Sequence, residues 1–165
     1  MTQITLHGKV FNTLGELPQV GETAPSFTLL KNDLSEVTLD NYQGKRKIIS
    51  VFPSLDTPVC ATSVRNFNKV SSELNNVVVL NVSMDLPFAQ GRFCVAEGID
   101  KVDVLSAFRS SFSNDYNLEI IDGLLQGLCS RVIIVIDENN KILYTEQIKE
   151  IAEEPNYKAA LAVLK

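Results

Sequence analysis

Three short apolar runs constrain the fold of this 165-residue chain more than any other feature. They cover residues 47–52, 77–82 and 131–137 and are rich in β-branched side chains. None shows the polar alternation of a strand with one face in water, so each is typical of a strand covered on both faces. Such strands need helices on both sides of their sheet, and the runs therefore predict a layered α/β fold with these strands at its centre.

The segments between these runs supply the outer layers. Residues 59–74 place apolar side chains three and four positions apart, which predicts an amphipathic helix. Shorter helices are predicted from Pro87 to about Gly98, over 107–116 and over 156–165. Further strands are predicted over 26–30, 37–39, 102–105 and 141–147. Residues 2–12 predict two extended segments joined by a turn at Gly8. This order matches a thioredoxin-like three-layer sandwich with a central mixed sheet and an N-terminal β-hairpin extension.

Length and charge limit the classes of function. The chain fits a single domain spanning residues 1–165. Its net charge is −5 with no dense basic run, which argues against nucleic acid as a partner. No apolar run approaches the ~20 residues of a membrane span, and no secretory signal precedes the first strand. We therefore expect a cytoplasmic protein with no membrane partner.

The cysteines do not form a structural framework. There are three, together with one histidine, and none has the spacing of a C-x-x-C or zinc motif. We expect no metal or cofactor, and thiols that are either inert or catalytic. His7 is expected to be a surface residue of the first turn, far from the cysteines. The acidic stretch 146–154 is expected to be a solvated face.

One cysteine stands at the predicted start of a helix. A buried strand ends at Pro53, Thr57 is a suitable N-cap and Pro58 suits the first helical position. Cys60 would then lie in the first turn, where unpaired N–H groups and the helix dipole favour a thiolate. A small buried side chain is the alternative interpretation of Cys60 from position alone.

Longer motifs decide between these interpretations. The spacing P-x-x-x-T-x-x-C over residues 53–60 resembles the active-site loop of the peroxiredoxins, and residues 21–29 resemble their first core strand. The longer run FPSLDTPVCATSVRNF over residues 52–67 resembles the thiol peroxidase subgroup of that family. Residues 84–94 and 131–139 are similar to the thiol peroxidase subgroup of that family. The resemblance covers nearly the whole chain.

This resemblance implies a cofactor-free peroxidase. Cys60 is then the peroxidatic cysteine, which attacks the peroxide and becomes a sulfenic acid, and Cys94 is the resolving cysteine of an intramolecular disulfide. Pro53 shields the thiolate, Thr57 donates a hydrogen bond to thiolate and peroxide, and Arg131 holds both by charge. The family implies hydrogen peroxide and alkyl or lipid hydroperoxides as substrates, thioredoxin as reductant and a homodimer.

Three alternatives stay open at this point. Cys129 is either an inert thiol or a second resolving residue, because it lies two positions before Arg131. A thioredoxin-like disulfide reductase needs C-x-x-C at the helix start, and residue 57 is threonine. A redox-inert binding module with the same fold would have no reason to keep Pro53, Thr57, Cys60 and Arg131 together.

Overall fold

The computed structural model describes residues 1–165. Its strands are β1 Thr2–Leu6, β2 Lys9–Thr13, β3 Thr28–Leu30, β4 Glu36–Thr38, β5 Arg46–Val51, β6 Val77–Ser83, β7 Asp103–Ser106, β8 Val132–Ile136 and β9 Ile142–Gln147. Its α-helices are α1 Pro58–Ser71, α2 Pro87–Glu97, α3 Phe112–Asp115 and α4 Tyr157–Ala162. Short 3₁₀ turns cover Leu39–Tyr42 and Gly123–Leu125. None of the helices has the length and apolar character needed to cross a membrane.

Seven strands form one mixed sheet in the order β4-β3-β7-β6-β5-β8-β9. The three apolar runs of the sequence form strands in the middle of the sheet, as predicted, and these strands, β6, β5 and β8, are neighbours. β5 runs parallel to β6 and antiparallel to β8. Its register pairs Lys47 with Ile136 and Val51 with Val132. The carboxyl end of β5 therefore meets the start of β8, which brings Arg131 close to the loop that follows β5.

Apolar clusters cover both faces of the sheet. Along β5, Ile48 belongs to a cluster with Phe67 of α1 and Ala160 of α4. The next residue, Ile49, belongs to the opposite cluster, which includes Phe112 of α3. Successive strand residues point to opposite faces of the sheet, so the side chains of β5 are buried alternately under the two outer layers. The three-layer sandwich expected from the sequence is confirmed.

The N-terminal hairpin is a separate two-stranded sheet of β1 and β2. Both turn residues have positive φ values, 49° at His7 and 82° at Gly8. Glycine adopts such values without strain, which suits Gly8 to the second position of this turn. The hairpin packs through a small apolar cluster of Ile4, Phe11, Ile120 and Ile151. Thr5 also forms a bridge with Glu150, which attaches β1 to the segment after β9.

One helix prediction is largely wrong. Only Phe112–Asp115 is helical in the segment predicted as a helix over 107–116. Serine side chains explain the difference, because the Ser106 hydroxyl accepts the Phe108 N–H at 3.3 Å and the Ser110 hydroxyl accepts the Phe112 N–H at 3.1 Å. Such local bonds compete with helical hydrogen bonds and favour turns. The final helix is also shorter than predicted and ends at Ala162.

Candidate active site

Cys60 is the third residue of α1, as the sequence predicts. Thr57 occupies the N-cap position and Pro58 is the first helical residue. The backbone N–H groups of Val59 and Cys60 have no hydrogen-bond partner, as is usual in the first turn of a helix. The Cys60 side chain is fully buried. The positive end of α1 therefore faces a thiol that is shielded from water.

The guanidinium of Arg131 contacts this thiol directly. Its Nη2 donates to Cys60 Sγ at 3.1 Å, and Nε donates to the Ile151 carbonyl at 2.9 Å. Only 2% of Arg131 is exposed, and no carboxylate forms an ion pair with it. A buried cation is costly without a counter-charge. Among the groups bonded to Arg131, only the sulfur can carry a negative charge, so the guanidinium is placed to stabilise negative charge on that atom.

One donor of the guanidinium is left over. Nη1 of Arg131 is buried and has no hydrogen-bond partner. A buried polar group without a partner is uncommon and costs free energy. Because the other two nitrogens are fixed by sulfur and carbonyl, Nη1 is available to a third acceptor placed beside the sulfur.

The remaining predicted site residues lie on the loop before α1. Pro53 is buried at the end of β5 and lines the cavity described below. Thr57 lines the same cavity, but its hydroxyl donates to the Ser54 carbonyl at 2.9 Å and makes no hydrogen bond to Cys60. Nor does that hydroxyl cap the helix. The predicted bond from Thr57 to thiolate or peroxide needs a rotation of this side chain, and it stays a prediction.

A largely apolar cavity of about 490 Å³ opens beside Arg131. Its apolar lining includes Leu6, Pro53, Val59, Leu125, Leu128 and Ile151. His7, an exposed turn residue as predicted, also lines this cavity, which contains none of the three cysteines. The hairpin and the 123–128 segment, which the sequence analysis did not connect with the site, form much of the wall.

Glu150 fixes the hairpin at this position. Its carboxylate accepts hydrogen bonds from the Thr5 hydroxyl at 2.7 Å, the His7 N–H at 3.0 Å and the Ala152 N–H at 3.2 Å. These bonds, the Thr5 hydroxyl first, lower the pKa of Glu150 to about 2. The neighbouring Ile151 carbonyl holds Arg131. Glu150 is therefore more than part of a solvated face, because it anchors the segment that positions the guanidinium.

Glu150 makes stability depend on pH. Because its pKa is lower in the folded state, its contribution is complete above about pH 4.5, the ordinary value, and is lost as the pH falls toward about 2. We expect Glu150→Gln to lower the free energy of unfolding at pH 7 and to flatten its decline between these pH values. Urea denaturation at a series of pH values measures both effects. Glu73→Gln, at an exposed carboxylate without hydrogen bonds, is the control, and an unchanged acid profile for Glu150→Gln would contradict the assignment.

Cys94 lies on a different helix from Cys60 but packs against the same apolar cluster. It is half-buried in α2 and packs against the cluster that contains Cys60, Phe52 and Val64. It lines a second cavity of about 410 Å³ that Cys60 does not line. Burial raises the pKa of the Cys94 thiol, with a smaller opposing effect from the Asn32 side chain. All three cysteines are free, and Cys60 and Cys94 lie in separate helices, α1 and α2.

Cys129 is a buried core residue. It belongs to the large cluster on the opposite face from α1 and is fully buried. Burial, together with the Glu119 and Asp85 carboxylates, raises the pKa of its thiol to about 12. A thiol in these surroundings stays protonated and unreactive. The geometry favours the inert interpretation of Cys129.

Comparisons with known proteins show the family of this chain. A family model described as Redoxin matches residues 19–161. Thiol peroxidases of Mycobacterium tuberculosis and Mycobacterium bovis are 53% identical over 164 residues, or 99% of each chain. A peroxiredoxin-like protein from Aquifex aeolicus has a TM-score of 0.90 at 37% identity, covering 98% of this chain and 95% of its own. A thiol peroxidase from Chromobacterium violaceum has a TM-score of 0.91 at 21% identity, covering 98% and 94%, and supports the fold.

Proposed function

The chain belongs to the Redoxin family and is a thiol-dependent peroxidase, and we propose that Cys60 is the residue that attacks the peroxide. The observation that carries this assignment is the 3.1 Å contact between Arg131 Nη2 and a fully buried Cys60 sulfur at a helix N-terminus. Neither of the other cysteines has a cationic partner or a place in the first turn of a helix.

The same residues stabilise the reaction. The Cys60 thiolate attacks one peroxide oxygen, the S–O bond forms and the O–O bond breaks. The sulfur becomes a sulfenic acid, and the leaving oxygen takes a proton to become water or an alcohol. Negative charge grows on that oxygen, and preorganised donors in a dry site stabilise it. Arg131 Nη1 and the N–H groups of Val59 and Cys60 are unpartnered donors beside the sulfur. Thr57 joins them if its hydroxyl turns.

The cavity supports alkyl and lipid hydroperoxides as substrates in addition to hydrogen peroxide. Hydrogen peroxide has no apolar surface to bury against this wall. An alkyl chain that binds there is removed from water, and its burial is favourable. Leu6, Leu125 and Leu128 are apolar wall residues that lie outside the loop before α1. Stopped-flow rates with cumene hydroperoxide should therefore exceed those with hydrogen peroxide, and the opposite order would contradict this substrate class.

Cys94 is the resolving cysteine in this proposal. Its thiol displaces water from the Cys60 sulfenic acid to give an intramolecular disulfide, which thioredoxin reduces through a mixed disulfide. The shared apolar cluster supports this pairing, because both cysteines pack against it from different helices. Gly91 stands within α2, and a helix is about 1 kcal/mol weaker with glycine than with alanine, which eases local unwinding.

Cys94→Ser tests the pairing. We expect the variant to reduce one equivalent of peroxide and then stall as a sulfenic acid, because no thiol reaches Cys60. Thioredoxin-dependent turnover should fall to background, and peptide mapping of the oxidised wild type should recover a Cys60–Cys94 bond. Cys129→Ala is the matched control and should turn over almost normally. A Cys60–Cys129 bond as the main product would refute the assignment, and a disulfide-linked dimer would move resolution to a partner subunit.

Assembly and location complete the proposal. Leu86, Phe88 and Phe108 are large apolar side chains with 50%, 64% and 37% of their surface exposed, which supports a homodimer. Light scattering of the reduced protein measures the mass and decides this point. Three unpaired cysteines fit a reducing compartment, and we place the enzyme in the cytoplasm.

A further inference from the structure

Asp85 joins the two cysteine-bearing segments. It lies between β6 and α2, within the motif that leads to Cys94. Its carboxylate accepts hydrogen bonds from the Ser54 hydroxyl at 2.7 Å and the Leu55 N–H at 2.8 Å. Both donors belong to the loop that leads to Cys60. The Ser83 hydroxyl, at the end of β6, donates to the same carboxylate at 2.7 Å. One side chain therefore connects the loop before α1 with the base of α2.

Ser54 extends this connection to the helix start. Its hydroxyl accepts the Asp56 N–H at 3.1 Å. Its carbonyl accepts the Thr57 hydroxyl at 2.9 Å and the Thr57 N–H at 3.2 Å. The N-cap of the Cys60 helix is thus held through Ser54 by the Asp85 carboxylate. Charged acceptors make shorter and stronger hydrogen bonds than neutral ones, so the negative charge of Asp85 matters for this loop.

On the other side the connection reaches α2 through Gln90. Its Nε2 donates to the Ser83 hydroxyl at 3.1 Å and to the Leu105 carbonyl at 2.9 Å. Gln90 is fully buried, four residues before Cys94, and its Oε1 has no hydrogen-bond partner. A buried acceptor without a partner is unfavourable and regains a partner when water reaches it. Gln90, which anchors α2, is therefore only partly satisfied in its hydrogen bonding. Unwinding of α2 gives its Oε1 a water partner.

We propose that Asp85 is a positioning residue that sets the competition between disulfide formation and overoxidation at Cys60. Its bonds hold the loop 54–57 in the arrangement that the peroxide step needs and attach this loop to the base of α2. The same bonds must break before Cys94 reaches Cys60. This inference rests on the roles proposed above for the two cysteines.

The competition can be written in balanced steps. After unwinding, the Cys94 thiol and the Cys60 sulfenic acid form a disulfide and one water. Before unwinding, the sulfenic acid stays beside Arg131, where a second peroxide oxidises it to a sulfinic acid and is itself reduced to water or an alcohol. Stronger Asp85 bonds favour the second outcome, and weaker bonds favour the first.

Asp85→Asn tests the proposal. The amide keeps the size of the side chain but loses the negative charge and one of the two acceptor oxygens. In stopped-flow oxidation with excess peroxide, we expect the disulfide phase to accelerate by about tenfold. The peroxide concentration that gives half sulfinic acid, measured by intact mass, should rise by a similar factor. The rate of the first phase should fall, because the loop is less well held. A purely structural defect would slow both phases.

Asp137→Asn is the matched control. Asp137 also accepts backbone N–H groups, from Asn139 at 2.8 Å and Lys141 at 2.9 Å, but it lies at the opposite end of the sheet beside the start of β5. Its sulfinic acid yield should equal that of the wild type. If Asp85→Asn does not fold, Gln90→Met provides the test, because it releases α2 and leaves the loop before α1 in place. We expect it to accelerate the disulfide phase and to leave the first phase, the peroxide step, unchanged.

The outcomes separate this proposal from the one it rests on. A Cys60–Cys94 bond that forms at the wild-type rate in Asp85→Asn, or in Gln90→Met where Asp85→Asn does not fold, overturns the role of Asp85 and leaves the cysteine roles intact. An oxidised product that does not contain Cys94 overturns both. Faster disulfide formation with a lower sulfinic acid yield supports the proposal.

Discussion

Cys60→Ser should abolish peroxide turnover. The serine oxygen can still accept the hydrogen bond from Arg131, and the side chain differs from cysteine by one atom, so the fold should survive. A hydroxyl is far less ionised than a thiol at neutral pH and cannot form a sulfenic acid, and the rate should therefore fall by several orders of magnitude to background. Stopped-flow peroxide consumption measures the loss, and circular dichroism checks the fold.

The control for this variant is Cys129→Ala, which removes a different buried thiol. Its side chain packs only in the core, so its peroxide rate should stay near the wild type. Appreciable turnover in Cys60→Ser, or a comparable loss in Cys129→Ala, would mean that the peroxide meets another thiol first. Either result would remove the basis of the mechanism.

Arg131→Ala should lower the rate of the peroxide step by about 100-fold or more, the usual effect of removing a preorganised donor from a charge-stabilising site. Two contributions disappear together. The sulfur loses its cationic partner at 3.1 Å, and the leaving oxygen loses the free Nη1. Only the first is restored by raising the pH until the thiol ionises. The variant should therefore stay well below the wild type at every pH.

Arg131→Lys and Arg65→Ala complete this test. Lysine keeps the charge but presents one ammonium, which cannot reach the Ile151 carbonyl and the Cys60 sulfur in the same fork geometry. It should recover part of the rate. Arg65 lies on the same helix as Cys60 in an exposed ion pair with Glu97 at 3.3 Å, and its loss should change the peroxide step little. Full recovery of Arg131→Ala at high pH would show that Arg131 acts only on thiol ionisation.

Local signals predicted the catalytic loop well. An apolar strand, a proline stop and the order Thr57, Pro58, Cys60 specify a helix start within a few residues of chain, and the structure has it there. Arg131 depended on the resemblance, because nothing local places it beside Cys60. The antiparallel register of β5 and β8 does that, and register between strands far apart in sequence follows from tertiary packing.

Other parts of the site gave no local signal. Glu150 bonds to Thr5 and His7 across more than 140 residues of chain. In the sequence, Glu150 is one of several acidic residues in the stretch 146–154, and no local pattern distinguishes it from the others. Asp85 likewise reads as a turn residue, although its carboxylate connects two segments about 30 residues apart. The prediction of a helix over 107–116 was wrong for the opposite reason. Local hydrogen bonds to serine hydroxyls favour turns there, and an apolar pattern forms a helix only where packing stabilises it.

The hairpin decides where this enzyme can be attached to something else. Met1, just before β1, is 83% exposed, and the hairpin reaches the apolar cavity only at the far end of β1, through Leu6 and the turn residue His7. Five strand residues separate Met1 from His7 by roughly 17 Å. The Leu164 carbonyl, next to the last residue, bonds Arg46 at the opposite end of β5 from the catalytic loop. A label on Met1 or beside Leu164 would therefore lie away from the cavity, whereas a peptide inserted at the exposed His7–Gly8 tip would stand at the cavity wall.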